Sequence, residues 1–115
     1  MVKGAIYEKS MELAIRIVKL SEYLQKEKHE YVMSKQVLRS GTSIGANIRE
    51  ANYGQSKKDF TSKMSIALKE LSETEYWLEL LNRTGYITEE QYESIQRDCS
   101  EVAKLLTSIV KTSKE

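Results

Sequence analysis

Proline is absent from this 115-residue sequence, and cysteine and histidine each occur once. Without proline, no residue imposes a break on a helix interior. The lone Cys99 excludes an intrachain disulfide and a cysteine-rich metal site, and it favours a reducing compartment. The lone His29 excludes a metal site built from several histidines, and we expect it in a solvated loop. No cofactor, metal or small-molecule substrate is expected.

Long hydrophobic runs are also missing. The longest uncharged run, residues 40–48, is less than half of the roughly 20 residues that a membrane span needs. Charged residues interrupt positions 1–12, so the hydrophobic region of a signal peptide is not formed there. We therefore expect a cytoplasmic protein that does not bind membranes.

Charge is nearly balanced overall but unevenly distributed. The formal net charge is +1, which excludes a generally basic nucleic-acid binder. Residues 33–69 nevertheless carry a net +5 and residues 70–93 a net −6. The middle of the chain is therefore a charge dipole.

Apolar residues recur at spacings of three, four and seven along the whole chain, which predicts four amphipathic helices. We expect them at about 7–28, 35–53, 57–84 and 89–113, in one domain spanning residues 1–115. On the first helix the apolar stripe comprises Ile6, Leu13, Ile17, Leu20 and Leu24, widened by Ala14 and Val18. Short connections favour an all-α, antiparallel up-down-up-down four-helix bundle with left-handed, coiled-coil-like packing.

Helix ends carry recognisable signals. Ser34 and Ser56 are predicted N-caps of the second and third helices. Gly54 and Gly85 are predicted to end the second and third helices in left-handed geometry. Residues 88–91 read as a capping box for the fourth helix.

Candidate chemistry is sparse. Cys99 occupies an inward position of the last helix and is expected to be a small core residue. Gly41 and Gly45 lie inside the second helix, where glycine costs about 1 kcal/mol relative to alanine, so we expect another helix to approach closely there. Together with Trp77, they form a candidate subunit interface. No catalytic constellation is present, and we expect no enzyme.

Two surfaces remain as candidate sites. The first is a polar network within the bundle or between subunits, comprising Arg39, Ser43, Asn47, Glu50, Glu70 and Glu73. The second is a surface for RNA or DNA, comprising Arg39, Arg49, Lys57, Lys58 and Lys63. The first alternative is favoured because the second rests on charge alone.

The stretch LRSGTSIGANIRE at residues 38–50 resembles the signature of the four-helix bundle family encoded in intervening sequences of bacterial 23S ribosomal RNA genes. Phe60, residues 66–68, residues 73–75 and residues 85–87 continue the resemblance over nearly the whole chain. Two positions depart from the family pattern: Ala51 follows the signature glutamate in place of glycine, and Lys69-Glu70 replaces a mid-helix Gly-Ser.

This resemblance implies an antiparallel four-helix protomer that assembles into a homopentamer without enzymatic activity and with an undefined cellular role. A related branch, the accessory variability determinant of diversity-generating retroelements, implies binding to nucleic acid and a reverse transcriptase. The function expected is thus a self-assembling structural or adaptor module. The alternative is an accessory factor that binds RNA or DNA on a basic oligomer surface.

Overall fold

The computed structural model describes residues 4–115, and this part of the chain folds into four α-helices without a strand. They are α1 (Ala5–Lys26), α2 (Met33–Ala51), α3 (Lys57–Arg83) and α4 (Glu89–Ser113). The predicted all-α class is confirmed, and the predicted helix bounds differ from these by at most two residues. Residues 1–3, part of the predicted single domain and of the stretch considered as a leader, lie outside the described residues.

The helices form an elongated body of 44 × 20 × 20 Å. In the described residues, the backbones of α1 and α3 each approach those of both α2 and α4 closely, whereas the α1–α3 and α2–α4 pairs have no such close backbone approach. α1 and α3 therefore lie on opposite corners of a four-cornered bundle. None of the described helices is long and apolar enough to cross a membrane.

The core follows the apolar stripes of the four helices. It is aliphatic, and fully buried side chains include Leu13, Ile17, Val37, Ile44, Leu78 and Leu106. Cys99 is buried among them, as expected. Val18, however, is 41% exposed and does not widen the core stripe of α1.

The start of α2 is capped by a residue that the sequence did not single out. The Glu30 carboxylate accepts hydrogen bonds from the backbone N–H groups of Val32, Met33 and Ser34, at 2.8 to 3.2 Å. The Ser34 hydroxyl instead donates to the Glu30 carbonyl oxygen at 2.8 Å. The prediction of Ser34 as the N-cap is wrong, because Ser34 lies inside the first turn and Val32 is the N-cap residue.

The other helix ends are closer to expectation. Ser56 caps α3 by accepting from the Asp59 N–H, and Thr88 and Gln91 form the predicted capping box of α4. Gly85 has a positive φ of 84°, which glycine adopts without steric cost. Gly54 does not share this geometry, so its predicted left-handed role is wrong. A Cβ there would lie 3.2 Å from the Ala51 carbonyl oxygen, so close packing is the constraint.

Candidate subunit interface

A polar cluster joins α2 to α3 on the bundle surface. The Arg39 guanidinium forms ion pairs with Glu70, at 3.1 Å, and with Glu73. The Trp77 indole N–H donates to the same Glu73 carboxylate at 3.1 Å. One arginine thus bridges two carboxylates of α3, and an indole fixes one of them. We call Arg39, Glu70, Glu73 and Trp77 the Arg39 cluster.

The Arg39 cluster is polar but still in contact with solvent. The Arg39 side chain is 49% exposed, and those of Glu70 and Glu73 are 19% and 37% exposed. The Trp77 hydrogen bond, followed by that of Arg39, lowers the pKa of Glu73 below its ordinary value, because both donors stabilise the carboxylate. The lowered pKa keeps the Glu73 carboxylate ionised beside the Arg39 guanidinium at neutral pH.

The remaining residues of the predicted network bond mainly within α2. The Ser43 hydroxyl donates to the Arg39 carbonyl oxygen at 2.6 Å, and the Asn47 amide donates to the Ser43 carbonyl oxygen at 2.8 Å. Glu50 forms an ion pair with Lys63 of α3 at 2.8 Å. Within one chain, the predicted stripe is therefore three local arrangements along α2 rather than one continuous network.

The two helix glycines have different surroundings. A Cβ on Gly41 would lie 2.7 and 2.8 Å from two γ carbons of Ile17, which is closer than carbon atoms pack. Gly41 is therefore buried against α1 inside the bundle, and its assignment to a subunit interface is corrected. A Cβ on Gly45 would meet Ser10 Oγ at 3.6 Å, an ordinary contact, so Gly45 stays a candidate.

An apolar groove runs along the α1–α2 face beside Gly45. Its volume is about 250 Å³, and it is lined by Tyr7, Ser10, Met11, Ala14, Thr42, Gly45, Ala46 and Arg49. Arg49 is the one charged lining residue, and its guanidinium carbon lies 5.1 Å from the centre of the Tyr7 ring. We call this the α1–α2 groove.

Met11, which lines this groove, shares one exposed face of α1 with two further apolar side chains. Met11, Ile15 and Val18 are 43%, 49% and 41% exposed. Sequence reasoning missed Met11 and Ile15 and assigned Val18 to the core. Their spacing of four and three residues was the available signal, because it places them on one helix face apart from the core stripe.

The cationic residues proposed to contact nucleic acid are dispersed over different environments. Arg39 forms an ion pair with a carboxylate of α3, and Lys63 forms one with a carboxylate of α2. The Arg49 guanidinium lies over the ring of Tyr7. Lys57 donates to the Glu115 carbonyl oxygen at 3.1 Å. Lys58 is exposed and has no ion pair among residues 4–115. The five residues do not form one uncompensated basic patch.

The isolated titratable residues show no assembled reactive centre. Burial raises the pKa of the Cys99 thiol to about 12, which keeps it protonated near neutral pH. His29 is exposed in the α1–α2 connection and lies 3.2 Å from the Tyr31 hydroxyl. Among residues 4–115, no group of three or more His, Cys, Asp or Glu side chains is arranged to hold a metal ion.

The sequence of this chain matches a known protein family. The family model described as 23S rRNA-intervening sequence protein matches residues 3–108. The chain belongs to this family. The resemblance seen in the sequence is thereby confirmed. A solved structure is also similar to this chain.

That structure is a crystal structure of a protein of unknown function from the S23 ribosomal protein family of Bacteroides thetaiotaomicron VPI-5482. It is 64% identical and superposes with a TM-score of 0.92, covering 93% of this chain and 99% of the other. No curated protein matches the chain. The relationship thus establishes the family and supports the fold, while the family's function is undefined.

Proposed function

We propose that this protein is a non-enzymatic, self-assembling structural or adaptor module of the cytoplasm that acts as a homo-oligomer, a pentamer by family resemblance. The protomer is proposed to be an antiparallel up-down-up-down bundle with left-handed packing. Its connections of six, five and five residues support this arrangement, because short loops leave consecutive helices side by side.

The exposed apolar face of α1 carries the proposal. Met11, Ile15 and Val18 are exposed on this face, and Met11 also lines the α1–α2 groove, whose lining includes a single charged residue. Contiguous apolar surface of this kind on a soluble domain is typical of protein contact sites. An assembly that covers it would remove this surface from water.

Native mass spectrometry and sedimentation velocity test the proposal directly. The wild-type chain should form a discrete oligomer at micromolar concentration, and dilution should shift it towards the 13.3 kDa protomer. A protomer that remains single at every concentration would remove the self-assembly proposal.

A nucleic-acid accessory role is the second candidate. Two features around the α2–α3 connection favour it: Lys58 lacks an ion pair among the described residues, and Tyr53 is 81% exposed, available for stacking on a base. Binding to structured RNA or DNA should weaken with salt, since cationic contacts release counterions.

The matched test compares a Lys58→Glu variant with a Lys104→Glu control in gel-shift experiments at low salt. Lys104 is also an exposed lysine but lies on α4. A loss of binding in the first variant alone would support this candidate. Absence of any wild-type shift at low salt would reject it.

A further inference from the structure

Exposed apolar side chains of the described helices lie on α1 and α3, at opposite corners of the bundle. On α1 they are Met11, Ile15 and Val18, which we call the α1 patch. On α3, Tyr76 is 59% exposed and lies against the half-buried Trp77, and we call this pair the α3 patch. Ile66, 38% exposed, lies ten residues nearer the start of α3 and is not part of it. α4 has no large apolar side chain among the exposed ones. The protomer therefore has two different candidate contact surfaces, one on α1 and one on α3, while α4 is polar.

The α3 patch presents aromatic rings in a fixed arrangement. The rings of Tyr76 and Trp77 meet edge to face, with centroids 5.1 Å apart and planes at 72°. The Trp77 indole is held by its hydrogen bond to Glu73. The Tyr76 ring is therefore held by its contact with Trp77, which lowers the conformational entropy that Tyr76 would lose on docking.

The α1–α2 groove has the size and lining to receive such a ring. Its volume of about 250 Å³ lies below the range of roughly 300 to 1,000 Å³ of small-molecule sites. It exceeds the roughly 150 Å³ in which an apolar cavity already accepts benzene. A protruding aromatic side chain is thus a better match for the groove than a cofactor.

The charges of the two surfaces are also complementary. Arg49 contributes the positive charge of the α1–α2 groove. The α3 patch adjoins the Arg39 cluster, whose two carboxylates and one guanidinium leave one negative charge. Opposite charges at the edges of an apolar contact favour one orientation of docking over others.

We propose that Tyr76 of one copy, supported by its own Trp77, docks into the α1–α2 groove of the next copy. The inference rests on the self-assembly proposed above and assigns its contact surfaces. Because two different surfaces meet, the interface is heterologous, and each added copy leaves one surface of each kind free until the ring closes. The polar face of α4 then lies outside the contact.

Complementary variants test this assignment. Ile15→Glu places a charge in the α1 patch, and Tyr76→Glu places one in the α3 patch. Both residues are about half exposed, so each variant should retain its helical circular dichroism. Each variant alone should be monomeric, while Thr107→Glu, on the exposed face of α4, should assemble like wild type.

Mixing the two monomeric variants gives the decisive reading. The intact α3 patch of Ile15→Glu should dock into the intact groove of Tyr76→Glu, producing a one-to-one heterodimer in native mass spectrometry. Disulfide formation gives a second reading: an Ile15→Cys/Tyr76→Cys chain should form covalent multimers, whereas neither single cysteine variant should link to itself. Cys99 is buried and should not interfere.

The outcomes separate this inference from the proposed function. A monomeric wild type overturns both. An oligomeric wild type whose Ile15→Glu and Tyr76→Glu variants still assemble overturns the docking assignment alone. Three other results also overturn it: self-linking of Ile15→Cys, a mixture of Ile15→Glu and Tyr76→Glu without heterodimer, or an Ile15→Cys/Tyr76→Cys chain without covalent multimers. Capture of a different protein by a monomeric wild type would assign the surfaces to that partner instead.

Discussion

Gly41 and Gly45 lie four residues apart on α2, yet replacing each with alanine should change stability in opposite directions. The Cβ of Gly41→Ala would lie 2.7 and 2.8 Å from two γ carbons of Ile17. Ile17 is fully buried and β-branched, so it has little freedom to move away. At Gly45 the new Cβ would make an ordinary contact of 3.6 Å with Ser10 Oγ.

The magnitudes follow from two opposing terms. Overpacking a core costs about 1–3 kcal/mol, and two contacts under 3 Å favour the upper half of that range. Alanine recovers about 1 kcal/mol of helix propensity relative to glycine. Gly41→Ala should therefore lower the free energy of unfolding by about 1–2 kcal/mol. Gly45→Ala should raise it by about 0.5–1 kcal/mol, because only the propensity term applies.

Urea unfolding followed by far-ultraviolet circular dichroism measures both variants. Repeating it at two protein concentrations separates folding from assembly, since assembly makes stability depend on concentration. Ile17→Ala provides the coupling control: it should cost less in the Gly41→Ala background than in wild type, because it removes the crowding atoms. Equal stability of Gly41→Ala and wild type, or equal losses at both glycines, would refute the close approach of α1 and α2.

Two further predictions concern the cap of α2 and the buried thiol. Glu30→Ala should lower the free energy of unfolding by about 0.5–2 kcal/mol, as for other lost N-caps, while Ser34→Ala retains the three carboxylate contacts and should cost less in the same urea assay. The reverse order would contradict the assigned cap. For Cys99, whose folded pKa is about 12 against an ordinary 9.0, the protonated thiol is favoured in the folded state, so its contribution is complete below about pH 9 and is lost as pH rises towards 12. The stability difference between wild type and Cys99→Ala should therefore shrink over that interval, and a constant difference would contradict it.

Much of the fold could be predicted from the sequence, because helix periodicity and end signals are local. The capping box at Thr88 and the glycine at position 85 depend on neighbouring residues alone. The N-cap prediction for Ser34 was wrong although serine is a preferred N-cap residue. The backbone N–H groups at the start of α2 are instead capped by the carboxylate of Glu30, which lies in the preceding connection. The prediction for Gly54 was wrong because its constraint is crowding by the Ala51 carbonyl oxygen and by Asp59 and Phe60 of α3, which sequence spacing does not reveal.

The candidate interface was harder to predict, because tertiary contacts decide which residues remain exposed. Gly41 and Gly45 look equivalent in the sequence, and only the position of Ile17 distinguishes them. In the sequence, Arg39 is compatible with both the polar network and the nucleic-acid surface. In the structure, its ion pairs with Glu70 and Glu73 of α3 favour the polar network. Val18 lies next to the apolar stripe of α1 in the sequence, but its side chain is exposed on the surface of the helix and not packed in the core.

Native mass spectrometry of the wild-type chain tests self-assembly most directly. A homopentamer should give one dominant species at five times the 13.3 kDa protomer mass, which gives way to smaller species on dilution. A spectrum containing the 13.3 kDa protomer alone at every concentration would refute self-assembly.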